Sequence, residues 1–101
     1  MRIIEKVSDR IGEEIADART YALMALETRD DHPDLSRTLY TISVQEMEHM
    51  RMLHEAIANV IMKYRQEKGE PPEKMMAVYE YLHGVHIAEA AEARNIQAMY
   101  K

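Results

Sequence analysis

Glu46 and His49 form a Glu-x-x-His pair. On a helix, residues three apart share one face about one turn from each other. A carboxylate oxygen and an imidazole nitrogen placed this way can hold one metal ion, or the carboxylate can bridge two. The donors suit iron or manganese, and zinc also accepts them. Glu14 is the third candidate, provided that another helix brings it to the same height. The chain has no cysteine. Thiolate ligands, cysteine nucleophiles and disulfides are therefore excluded, and a reducing, cytoplasmic setting is expected.

Three helices must position these groups. Only two stretches interrupt the helical pattern: Asp30-Asp31-His32-Pro33-Asp34 and Gly69-Glu70-Pro71-Pro72. Proline suits a first helical turn, and glycine followed by proline marks a helix end. Helices are predicted over about residues 2–29, 34–68 and 73–100, forming a single all-α domain over 1–101. Short connections make consecutive helices antiparallel neighbours.

Each helix has a seam with spacings of three and four. The seams run Ile4, Val7, Ile11, Glu14, Ala18, Tyr21, Ala25, then Leu35, Leu39, Ile42, Glu46, His49, Leu53, Ala56, Val60, then Tyr79, Leu82, His86, Glu89, Ala93, Ile96, Tyr100. All three are apolar at their ends and ionisable in the middle. A buried carboxylate without a partner is costly, so a cation is the expected companion. Glu14 lies about 17 residues before the first turn, and Glu46 and His49 about 15 to 17 after it, which makes the three level across an antiparallel pair. A phase shift of one residue would instead turn Glu13 inward.

The run Glu14-Ile15-Ala16-Asp17-Ala18-Arg19-Thr20-Tyr21, followed by Glu46-Met47-Glu48-His49, resembles the first two helices of the rubrerythrin and ferritin-like di-iron carboxylate families. The resemblance covers roughly residues 4–60. It implies a helical bundle holding two iron ions, with manganese or zinc as alternatives, and Tyr21 close to the metals. Such sites draw one Glu from each of two helices and Glu-x-x-His from each of the other two. This chain carries one half of that set. Two copies about a twofold axis would supply Glu14, Glu46 and His49 twice, as in the short encapsulated ferritins, which the chain resembles in this respect. The expected assembly is therefore a homodimer or higher homo-oligomer. The expected activity is ferroxidase-type oxidation of ferrous iron by dioxygen or peroxide, with the electron donor left open because there is no four-cysteine rubredoxin segment. A non-enzymatic helical interaction module and a zinc- or manganese-stabilised bundle are the alternative readings.

On the third helix, counting from the second turn places residues near 92 level with Glu46 and His49. Glu89 and Glu92 thus become candidates, with His86, for extra ligands, for groups that orient His49, or for a cation access route. His32, His54 and His83 fall off the seams and receive no role. The nine methionines read as adaptable core and interface filler. A net charge of -5 with no basic stripe argues against a nucleic-acid partner. No apolar run approaches a membrane span, and charge returns too early after Met1 for a signal-peptide core.

Overall fold

The computed structural model describes residues 2–100. They form α1 (Arg2–Thr28), α2 (Pro33–Lys68) and α3 (Glu73–Met99), with no strand among the described residues. Pro33 opens α2, one residue earlier than expected, where its missing N–H needs no partner. Gly69 closes α2 at φ +86° and ψ -162°, and its N–H donates to the Arg65 carbonyl at 3.1 Å. Residues with a side chain rarely adopt that conformation.

α1 is the central helix. Ser36 Oγ donates to the Ala25 carbonyl at 2.5 Å and Ser43 Oγ to the Ala18 carbonyl at 2.6 Å, which sets the antiparallel register of α2 on α1. α3 returns parallel to α1. Arg19 pairs with Glu92 at 2.9 Å, and Arg29 donates to the Met99 and Tyr100 carbonyls at 3.3 Å. The last carbonyls of a helix have no partner within it. The last turn of α3 has no basic residue of its own, and Arg29 supplies one from the first turn region. The Tyr40 and Tyr100 rings stack at 4.3 Å beside this end.

α2 and α3 both pack on α1 and barely touch each other. The molecule is long, 56 × 19 × 18 Å with a radius of gyration of 16.3 Å, because the 36 residues of α2 alone run about 54 Å. A compact chain of this size would have about 13 Å. Ile4, Ile11, Ile15 and Ala18 of α1 meet Met47, Met50, Ile57 and Ile61 of α2 and Ala90 and Ala93 of α3 in the core.

The α2 seam departs from expectation. Its buried face is Ser36, Leu39, Ser43, Met47, Met50, Ile57 and Ile61, and only Leu39 belongs to the expected series. The cause is the alanine row of α1. Ala18, Ala22 and Ala25 are at most 1 % exposed and let α2 approach so closely that serine fits opposite them. Each serine hydroxyl is satisfied by an α1 carbonyl, so its burial carries no unpaired polar atom. The expected seam consequently becomes the lip of the interface. Ile42, Glu46 and Leu53 are half-buried, while Leu35, His49, Ala56 and Val60 are exposed.

Candidate metal centre at the lip of the α1–α2 interface

Glu14 sits on the buried face of α1 between Ile11, Ile15 and Ala18 and is only 7 % exposed. Glu13 is exposed and pairs with Arg10, so Glu14 is the inward group. Arg10, one turn earlier, also donates to Glu14 Oε1 at 2.9 Å. The other oxygen, Oε2, is buried and has no hydrogen-bond partner. His49 Nδ1 lies 3.6 Å from it, too far for a hydrogen bond.

Glu46 and His49 approach from α2. One ligand atom from each of Glu14, Glu46 and His49 lies within 4.8 Å of the others. Ligand atoms sharing an ion at about 2.0–2.2 Å are at most about 4.4 Å apart, so the group stands at or near bonding separation. A buried carboxylate oxygen without a donor carries a desolvation cost of about 1–3 kcal/mol or more. A cation at this place would remove that cost. The donors are two carboxylates and one imidazole, a set that iron, manganese and zinc all accept. The residues therefore fit a metal. Outside the group, Arg51 donates to Glu48 at 2.7 Å and to Glu55 at 3.0 Å and forms a solvated charged face.

The remaining candidates divide by position. Tyr21 is half-buried on α1, two turns beyond Glu14. His86, Glu89 and Glu92 stand outside the Glu14–Glu46–His49 group. Glu89 and Glu92 are exposed beside a surface hollow lined by Ile15, Ala16, Arg19 and Thr20, and Glu92 is paired with Arg19. Counting residues from a turn gives the height of a side chain but not its direction around the helix. These acids face the α1–α3 groove, whereas the candidate centre lies at the α1–α2 lip.

His86 lines a different space, a cavity of about 210 Å³ between α2 and α3, together with Ile11, Met50, His54 and His83. Gly12 makes room for it: a Cβ there would lie 3.4 Å from His86 Nε2. His54 Nε2 and His83 Nδ1 are 2.9 Å apart, and their rings stack at 4.4 Å. The Tyr79 ring lies parallel to His83 at 5.9 Å. Burial holds His54 below the usual histidine range, and His83 and His86 push it the same way. Burial also lowers His86, against an upward pull from Glu89 and Asp9. Reading single seams missed this group. Its signal was a pair of spacings, Met50 with His54 and His83 with His86, each defining one helical face.

No protein-family model, curated protein or solved structure matches the chain.

Proposed function

We propose that the chain is a ferritin-like metal-binding protein that oxidises ferrous iron at a two-ion carboxylate site built from two copies. The observation that carries this reading is the buried, unpartnered Glu14 Oε2 beside Glu46 and His49. A polar atom left this way inside a helical interface is rare and calls for a physical reason.

In this reading Glu14, Glu46 and His49 hold the iron. Arg10 occupies Glu14 Oε1 and leaves Oε2 for the ion. Iron is the substrate, and each ferrous ion gives one electron to dioxygen or peroxide. The protein's part is to place the donors and to limit access of water.

Pairing two copies is supported by what lies along the same lip. His49 is exposed, and an apolar hollow lined by Ile3, Val7, Ala56 and Val60 continues toward the end of α2. A twofold partner laid on this face would cover the hollow and double the donors to four carboxylates and two imidazoles. The zinc- or manganese-stabilised bundle uses the same residues without redox turnover.

Anaerobic titration with ferrous iron, followed by admission of oxygen, tests the proposal. Wild-type protein is expected to consume oxygen in proportion to bound iron, and Glu14→Ala to lose both binding and consumption. Iron binding without oxygen consumption would sink the oxidase reading and leave the metal-stabilised bundle. Equal iron binding by wild type and Glu14→Ala would sink both.

A further inference from the structure

Three of the chain's five histidines border one cavity. It lies between α2 and α3, the two helices that barely touch, and spans about 210 Å³, far more than the space of one water. α2 presents His54 and, one turn before it, the buried Met50. α3 presents His83 and, one turn after it, His86. The other lining is mainly apolar, from Ile11, Ile87 and Ala90.

We propose that His54 and His83, in the cavity that His86 and Met50 also line, form a second metal site that takes a late transition ion of the copper and zinc class.

Geometry supplies the first argument. Two imidazole nitrogens on one tetrahedral ion at about 2.0–2.1 Å sit roughly 3.3 Å apart. His54 Nε2 and His83 Nδ1 are 2.9 Å apart, so a separation of roughly 0.4 Å would admit the ion. With each ring in the tautomer that carries its proton on the outer nitrogen, both inner nitrogens would offer lone pairs to an ion, and neutral rings would lose no proton on binding.

Donor chemistry supplies the second. Imidazole with thioether selects copper and zinc over hard ions, which prefer the carboxylates at the α1–α2 lip. The two sites would thus sort metals by donor type within one chain. Two arginines also border the cavity. Arg51 is already engaged by Glu48 and Glu55. Arg94 lies about 12 Å along α3 from His86 at the usual helical rise. Burial pushes His54 and His86 below the usual histidine range, which weakens the case for an anion.

This proposal stands apart from the Glu14 site and is tested with that site removed. Protein carrying Glu46→Ala and His49→Ala is titrated with Zn²⁺ by calorimetry and with Cu²⁺ by electron paramagnetic resonance. About one equivalent per chain is expected to bind, with nitrogen couplings in the copper spectrum. Adding His54→Gln and His83→Gln is expected to abolish it. Undiminished binding after those two changes would overturn the proposal. A second measurement avoids reliance on the substituted protein's folding. In the wild-type chain, ¹H–¹⁵N imidazole spectra should show Zn²⁺ shifting His54 Nε2 and His83 Nδ1. Shifts confined to His32 and His49, or shifts produced by phosphate but not by Zn²⁺, would overturn it equally.

Discussion

His49 Nδ1 faces the buried Oε2 of Glu14 across the α1–α2 lip at 3.6 Å, too distant to bond it and close enough to share an ion with it. Changing His49 or Glu46 to Ala is therefore expected to remove at least one iron per site, because in the proposed site each would supply a direct bond. Metal content after gel filtration, measured by mass spectrometry, checks it. Full stoichiometry in both variants would place iron elsewhere on the molecule.

Stability in the metal-free state tests the buried carboxylate itself. Glu14→Leu replaces a carboxylate with one buried, unpartnered oxygen by an apolar side chain in a nearly closed position. It is expected to stabilise the metal-free protein by about 1–3 kcal/mol, the scale for burying a leucine side chain. The same change should forfeit the stabilisation that ferrous iron is expected to give the wild type by mass action. Denaturant unfolding of both proteins, with and without iron under nitrogen, gives the four values. Identical stabilities would mean that Glu14 lies in water.

Ala56 is exposed and lies on the apolar hollow beside the candidate centre. Ala56→Arg should leave the helical content of one chain unchanged and place a charge where a second copy would dock. Sedimentation equilibrium is expected to show wild type as a dimer or larger and the variant shifted toward monomer. A wild-type monomer at micromolar concentration with iron present would remove the shared-site arrangement.

Acid should weaken the fold through the α2–α3 histidines. The folded values of His54 and His86 lie below the ordinary 6.5. Below that pH the unfolded chain takes up protons before the folded one, so stability is complete above about 6.5 and falls as pH drops toward the folded values. Desolvation is the main cause for both. Around His86, Asp9 and Glu89 oppose the shift and His83 reinforces it. Replacing both His54 and His86 by Gln should flatten the stability profile below about pH 6.5. An unchanged slope in chemical unfolding across that window would count against the depressed values.

Two helical glycines should respond differently to alanine. A Cβ at Gly84 meets nothing within 4 Å, whereas one at Gly12 meets His86 Nε2 at 3.4 Å. Gly84→Ala is expected to gain about 0.5–1 kcal/mol from helix propensity alone. Gly12→Ala should gain less, because the imidazole must give way slightly. Equal gains in thermal unfolding would show that His86 is free to move.

Helix number, type and ends were legible in the sequence because proline, glycine and apolar spacing act locally. The turns at Pro33 and Gly69 needed only the backbone rules of those two residues. The level placement of Glu14, Glu46 and His49 also followed from counting, since antiparallel helices rise equally from a short turn. Direction around each helix is a different matter, because neighbours decide it. The α2 face was set by Ala18, Ala22 and Ala25 admitting Ser36 and Ser43, a close approach to which a search for large apolar residues is blind. That rotation left Glu46 half-buried and His49 in the open rather than both in a closed core. The packing of α3 on α1 likewise gave Glu92 to Arg19 and brought His83 and His86 to the cavity edge shared with His54. Each of those pairings joins residues from different helices, so it rests on interhelical distance and azimuth, which only the packed structure determines.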